Sequence, residues 1–419
     1  MKYFVVVQAM AYRLTAHEFA IESAFAVHLQ ELRARLGADF DELVLIGPEM
    51  TPAEHAAAAG SLAVVDSRVT GVRFLPAYRS DVSRPAFLLR HLFPTWRFLK
   101  REFSASCVVQ SGMSTQLAHP LMFMACLAAK RQGQVVVFMV DIDFRQHSRR
   151  YYELGEWGLK SFLINRFVYD PLKWVQLWLA PRLFDLCLFK SRSLVRDFSG
   201  GRPNVRNFFD TVHSDELIVR DADLEVKLRS ALDASRPLLI TYFGRLVPYK
   251  GLDRVVRALA LARAAGADVR LRIIGDGESR AALEAQVEAE SLGSAVEMLP
   301  QVPYGPSLFR FVDECHLAVA TPLVEDTPRA AFDSMARGLP MAAFDITYFK
   351  DLAEASGAVV TTPWPSAEGL ARVLQELAGN RRRLAEMSRA AVRFARENTQ
   401  EVWVKRRMLW TRQLLAGQE

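Results

Sequence analysis

Cysteine is scarce in this sequence and scattered: Cys107, Cys126, Cys187 and Cys315 are the only four in 419 residues. No C-x-x-C pair occurs, which argues against a disulfide framework or a structural zinc site and for a reducing, cytoplasmic setting. Each reads most simply as a small buried hydrophobe. Long apolar runs are missing as well. None approaches the length of a spanning helix, so no transmembrane segment is expected. Met1–Tyr3 runs straight into a strand-like FVVV with no basic n-region and no small-residue cleavage site, so no secretory leader is expected. What is present suits a folded chain: 51% apolar and 24% charged residues exclude a disordered or fibrous protein. The length suits two to three domains.

The net charge is only +6, but it is unevenly placed. From Arg145 to Arg206 there are twelve Lys and Arg against five Asp and Glu, together with eleven aromatics that include Trp157, Trp174 and Trp178. Three readings fit such a segment. It can be a helical layer with Arg on its wet side. It can lie on an anionic membrane surface, where cations meet headgroups and aromatic rings sit at the interface. It can bind nucleic acid through phosphates and stacking. No nucleic-acid module signature supports the third, and nucleic acid is not expected as a partner.

Short β-branched runs alternate with longer amphipathic segments throughout. Expected strands in the first half are Phe4–Val7, Glu42–Ile46, Leu62–Val65, Val72–Leu75, Cys107–Gln110, Val135–Val140 and Asp185–Phe189, with helices at Glu18–Leu36 and Gln116–Ala129. The second half repeats the scheme more cleanly. Its strands are Leu238–Phe243, Arg270–Ile274, Val296–Leu299, Leu317–Ala320 and Met341–Phe344, and its helices include Leu252–Ala265 and Pro328–Arg337. This alternation predicts an α/β fold with parallel sheets covered on both faces. The expected division is 1–232, 233–396 and a terminal helix 397–419 that packs back on the body.

Two α/β halves with open sheets facing one another would bind ligand at the carboxyl ends of their strands. Three motifs in the second half fall there. In Gly244-Arg245-Leu-Val-Pro-Tyr-Lys250-Gly251, two cations stand where a strand stops and a helix begins. They can hold a diphosphate, Arg as a fork and Lys as a point charge, or they can be solvated cations on an ordinary turn. In Glu325-Asp326-Thr327-Pro328-Arg329-Ala330, Thr327 reads as a helix N-cap with proline following. The free N–H groups of Arg329 and Ala330 would then form an anion site. Glu325 before the cap and Asp333 inside the helix are placed to grip hydroxyls of a ligand whose phosphate sits between them, or are surface acids at a helix start. Gly275-Asp276-Gly277 is a tight turn between strand and helix.

These three motifs, in this order, resemble the carboxyl-terminal domain of retaining, nucleotide-sugar-dependent glycosyltransferases, the large group 1 family with the glycosyltransferase-B fold. The resemblance covers roughly Leu238–Ala395. It implies two Rossmann-like domains with parallel sheets facing across a cleft. It implies that Arg245, Lys250, Thr327, Arg329 and Ala330 hold the donor diphosphate, that Glu325 lies against the donor sugar, and that Asp333 and Gly275 line the ribose and nucleoside site. Glu325 and Asp333 match the two acids of the family's E-x7-E motif. The second is Asp here, one methylene shorter. Asp326-Thr327-Pro328 replaces the family's usual Gly-Phe-Gly, and Pro300 stands where a glycine often lines the base pocket.

The first half departs further. The Gly-rich loop common after the first strand is replaced by Gln8-Ala-Met-Ala-Tyr-Arg-Leu. Where the family often has a histidine near the sugar, after Val135–Val140, this chain has Asp141-Ile142-Asp143. Asp141 can be a polar group near the reacting sugar, part of a turn, or part of a metal–diphosphate motif of the other glycosyltransferase fold. The resemblance implies no metal and no cofactor beyond the nucleoside diphosphate sugar as co-substrate. The expected activity is retaining transfer of a sugar to an acceptor hydroxyl, with the leaving phosphate oxygen taking the acceptor proton. The basic segment 145–206 suggests a glycan or lipid-linked acceptor at a membrane, as in surface polysaccharide synthesis. The protein would then be cytoplasmic and peripheral on the inner face. A sugar-nucleotide epimerase of the same fold, or a non-catalytic nucleotide-sugar binder, are the alternatives.

Overall fold

Continuously buried apolar runs build two separate sheets. The computed structural model describes residues 1–417. The backbone falls into two compact units. One comprises Met1–Asp141, Leu163–Phe208 and the chain from Val404; the other comprises Ile142–Phe162 and Phe209–Trp403. The four cysteines are free and buried.

In the first unit, neighbouring strands run in the order Val205–Asn207, Leu186–Phe189, Val135–Val140, Cys107–Gly112, Lys2–Val6, Glu42–Glu49 and Val72–Arg79, all parallel. Ala11–Arg13, Glu18–Glu22 and Leu62–Asp66 extend the sheet past the end of Glu42–Glu49, with Glu18–Glu22 antiparallel to both its neighbours. The expected helix Glu18–Leu36 is therefore two elements. Phe19, Ala20 and Ile21 are buried as strand. The helix begins at Ser23, where the Glu22 carboxylate accepts the Phe25 N–H. Leu62–Asp66, expected to join a parallel sheet, pairs antiparallel instead because Glu18–Glu22 returns as a hairpin.

In the second unit six strands are all parallel, in the order Val296–Leu299, Val269–Ile274, Leu238–Phe243, Leu317–Ala320, Met341–Phe344 and Val359–Thr362. Leu317–Ala320 and Met341–Phe344 are buried throughout, as a sheet covered on both faces requires. Helix Leu252–Ala264 packs through Leu252, Val255, Val256 and Leu259, each at most 3% exposed. That is one helical face, and each such side chain contributes about 1.5–3 kcal/mol of burial.

The units differ from the division expected at 232/233. Helix Asp221–Leu232 belongs with the second unit, because Leu224 and Leu228 pack on Ala385 and Val392 of helix Arg381–Glu397. Its charged outer face disguises that stripe. Segment 142–162 also belongs there. In the terminal helix Gln400–Ala416, the Trp403 indole donates to Asn398. Further along, Arg412 pairs with Asp39 and Trp410 lies under Arg206, both within the first unit.

Candidate functional site

The chain enters the second sheet at its middle, Leu238–Phe243, works outward to Val296–Leu299, then returns to the other side at Leu317–Ala320. This reversal opens a crevice at the carboxyl ends of Leu238–Phe243 and Leu317–Ala320. Two cavities lie there, of about 340 and 320 Å³. Phe243, Gly244, Arg245 and Ala330 line both.

Glycine is required where the two loops meet. Gly275 has φ of 153°, and a Cβ there would lie 1.9 Å from the Gly244 carbonyl oxygen. No larger residue fits that approach. Gly251, at φ of 65°, lets the chain pass from the cation loop into helix Leu252–Ala264 against the Thr321 carbonyl.

The first cavity is lined by Arg245, Lys250, Asp326, Arg329 and Ala330. Arg245 is exposed, and among the described residues its guanidinium donates only to the Tyr249 hydroxyl, at 3.4 Å. Lys250 is different. Its Nζ lies 2.5 Å from Asp326 Oδ2, so half-buried Lys250 already has an anion. Asp326 is one of the three residues that replace the family's Gly-Phe-Gly.

The cap expected at Thr327 is not formed. The helix spans Ala330–Ala336, its N-cap is Arg329, and no side chain caps it. Pro328 instead accepts the Ala331 N–H, which tightens the first turn. Thr327 lines neither cavity. The N–H groups of Arg329 and Ala330 donate to no protein acceptor among the described residues. The Arg329 guanidinium turns away to pair with Asp210 at 3.0 Å.

The second cavity is lined by Gly275, Asp276, Gln301, Tyr304 and Asp333. The Tyr304 hydroxyl donates to Asp333 Oδ1 at 2.8 Å. Burial pushes the Asp333 carboxyl up to about 7, against the opposing effects of the Tyr304 hydrogen bond and of Arg329. Tyr304 has no sequence signal of its own, since it lies in a polar loop 29 residues from its partner.

Glu325 lines neither cavity. It is 5% exposed, and its Oε1 accepts from Arg150 Nη1 at 2.5 Å, from the Thr347 N–H at 3.2 Å and from the Thr347 hydroxyl at 3.0 Å. The carboxylate thereby satisfies the first N–H of helix Thr347–Ser356. Burial raises its pKa and Arg150 opposes the rise. Among the described residues no donor meets Oε2. Arg150 also lies over the Trp364 ring, at 5.4 Å. On sequence, Arg150 counts as one more cation of the basic segment. In the structure it is 8% exposed and committed to an acid 175 residues away, which no local pattern announces.

Asp141 ends strand Val135–Val140 in the first unit. Its side chain is 63% exposed and pairs with Lys190 at 3.3 Å. Asp143 is buried in the second unit and holds Arg145 through both oxygens. Among the described residues no group of three His, Cys, Asp or Glu side chains is arranged to hold a metal ion.

Residues 226–394 match the family described as "Glycosyl transferases group 1". No curated protein sequence matches the chain. Solved structures similar in fold include HepE from Anabaena in complex with UDP, at 16% identity and TM-score 0.62 over 98% of this chain and 99% of that one. Sucrose-phosphate synthase from Thermosynechococcus elongatus is similar at 14% identity and TM-score 0.62, over 99% of each chain. WaaG, a glycosyltransferase involved in lipopolysaccharide biosynthesis, is similar at 13% identity and TM-score 0.59, over 97% of this chain and 98% of that one. Residues 226–394 thus carry the match to the group 1 glycosyltransferases, and the whole chain shares the fold of these structures, with two Rossmann-like domains.

Proposed function

We propose that the protein transfers a sugar from a nucleoside diphosphate sugar to an acceptor hydroxyl with retention of anomeric configuration. The observation that carries this reading is the convergence of Arg245, Lys250 and the free N–H groups of Arg329 and Ala330 on one cavity, beside a second cavity that holds Asp333. The first set stabilises the diphosphate as charge develops on it. The second receives ribose and base, with Asp333 accepting from ribose hydroxyls and Gly275 letting the nucleoside lie close to the backbone. Thr327 shapes the loop rather than binding. Glu325, fixed through Oε1, offers Oε2 to the donor sugar. Asp141, at a strand end, faces the reacting sugar or its acceptor. The departing phosphate oxygen takes the acceptor proton, which needs no separate base.

The acceptor in this reading is a lipid-linked or membrane-located glycan used in surface polysaccharide synthesis. The protein works in the cytoplasm, peripheral to the inner face of the membrane. WaaG, named for lipopolysaccharide biosynthesis, is one of the fold relatives that support this reading. A second reading, a nucleotide-sugar binder without turnover, is favoured by one observation only: Lys250 is already neutralised by Asp326.

The test is incubation with UDP-, GDP-, ADP- and TDP-sugars, with and without a lipid-linked oligosaccharide extract, followed by NMR. Retaining transfer yields free nucleoside diphosphate and a product with the donor's anomeric configuration. Inversion overturns the mechanism. A new sugar-nucleotide isomer without acceptor identifies an epimerase. Donor binding with no turnover identifies a binder.

A further inference from the structure

Helix Asp170–Leu183 carries polar residues on its buried side and large apolar residues on its exposed side. Its polar residues Asp170, Lys173 and Gln176 are buried. Lys173 Nζ lies 3.3 Å from Asp170 Oδ1, and Gln176 bonds the backbone N–H and carbonyl of Ser114. Leu177, Ala180 and Pro181 are buried with them, but large apolar residues are left outside: Leu172 is 47%, Val175 50% and Trp178 52% exposed, and in the preceding turn Phe167 is 69% exposed. A helix bordering water shows the opposite arrangement. Polar anchors inside and rings outside mark a face meant for something apolar.

A second segment repeats the composition. From Ser83 to Arg101 there are five Lys and Arg and no Asp or Glu. Within it Leu89 is 82% and Phe93 71% exposed. Both segments belong to one layer. The segments that lead into Cys107–Gly112, Val135–Val140 and Leu186–Phe189 advance across the sheet in one direction. Right-handed crossovers therefore put their helices on the same face. Helix Leu92–Glu102 packs on helix Leu121–Arg131 within that layer.

We infer that the outer surface of this layer docks on an anionic lipid bilayer. The chemistry selects this occupant. Between Leu163 and Leu183 the only acid, Asp170, is buried and paired, so the outward charge is cationic. Arg166 lies over Trp174 at 5.8 Å, and Arg182 over Trp178 at 3.9 Å. Rings with a guanidinium alongside suit the headgroup level, where the cation meets lipid phosphate and the ring meets acyl chain. A second copy of the chain would set cation against cation. Nucleic acid would leave Leu89 and Val175 without stacking partners. No helix among the described residues is long and apolar enough to cross a membrane, so the contact is with the surface. The basic window 145–206 is thus narrowed and moved: Arg150, Lys173 and Lys190 are internal, and Ser83–Arg101 joins the face. The purpose of this face rests on the membrane-located acceptor proposed above; its physical basis is the surface itself.

The test is co-sedimentation of the full chain with vesicles of phosphatidylcholine alone, or with phosphatidylglycerol added. Wild type is compared with Phe167→Ser/Trp178→Ser and with Arg90→Glu/Arg97→Glu. The expected result is preference for the anionic vesicles, reduced about tenfold or more in each double variant, with UDP-induced thermal stabilisation unchanged. No binding to anionic vesicles overturns the inference, as does equal binding by both variants. Concentration-dependent self-association without vesicle binding also overturns it, in favour of a second copy. Vesicle binding without transfer to a lipid-linked acceptor removes the acceptor reading and leaves the surface standing. Transfer to a lipid-linked acceptor without vesicle binding does the reverse.

Discussion

Asp326 Oδ2 sits 2.5 Å from Lys250 Nζ, within the same cavity that Arg245 lines. An arriving diphosphate competes with this carboxylate for the lysine and is repelled by it. Asp326→Asn is expected to tighten nucleoside diphosphate binding about tenfold, equivalent to about 1.4 kcal/mol. Lys250→Ala should weaken it, and the double variant should fall between. Isothermal titration with wild type, the two single variants and the double variant measures the coupling directly.

Arg150 is ion-paired with Glu325, and in the mechanism proposed here it positions that acid. Removing it leaves a buried acid without its cation, so Arg150→Met is expected to cost about 3 kcal/mol of stability. A structural role alone would stop there. Positioning predicts in addition that kcat falls while the donor Kd holds, and that Arg150→Lys recovers part of kcat. Glu325→Gln keeps the hydrogen bonds from Thr347 and should lower kcat about a hundredfold.

Asp333 carries a pH dependence of known sign. Its folded-state pKa is about 7, above its ordinary value of 3.8. Such a group binds its proton more tightly in the folded state. Its stabilising effect is full below the ordinary value and is lost as pH rises through 7. Relative to Asp333→Asn, wild type should therefore melt lower at about pH 8 than at about pH 5. Nucleotide affinity should move the other way, since in the proposed site it is the ionised carboxylate that accepts from the ribose hydroxyls. It should rise through neutral pH in wild type and stay flat in Asp333→Asn.

Gly275→Ala places a methyl 1.9 Å from the Gly244 carbonyl oxygen at a φ that side chains avoid. The expected outcome is a loss of about 3 kcal/mol and of nucleotide binding, read by thermal melting with and without UDP. Gly293→Ala, with open space around its Cβ position, serves as the control.

The second unit was the more legible half. Leu238–Phe243, Leu317–Ala320 and Met341–Phe344 are read from sequence with the bounds they have in the structure, because buried parallel strands are mostly continuous apolar runs, and the half-exposed edge strand Val296–Leu299 is read with its bounds as well. In the first unit, Ala11–Arg13 and Glu18–Glu22 escaped notice, since a short hairpin followed at once by a helix blurs two periodicities. The site was legible as loops rather than as contacts. Arg245, Lys250, Ala330, Asp333 and Gly275 all line the cavities. The local N-cap signal at Thr327 was overridden when the chain held Pro328 outside the helix. The partnerships Lys250–Asp326, Tyr304–Asp333 and Arg150–Glu325 join residues from 29 to 175 positions apart, which only folding brings together.

Titration of wild type and Arg245→Ala with UDP, GDP, ADP and TDP bears most directly on the central claim, that the loop from Gly244 to Gly251 and the start of helix Ala330–Ala336 form a diphosphate cradle. The account predicts that one of the four binds wild type and that Arg245→Ala, whose exposed side chain leaves the fold intact, weakens it at least tenfold, or about 1.4 kcal/mol. Undiminished binding to Arg245→Ala, or no binding of any of the four to wild type, would contradict it.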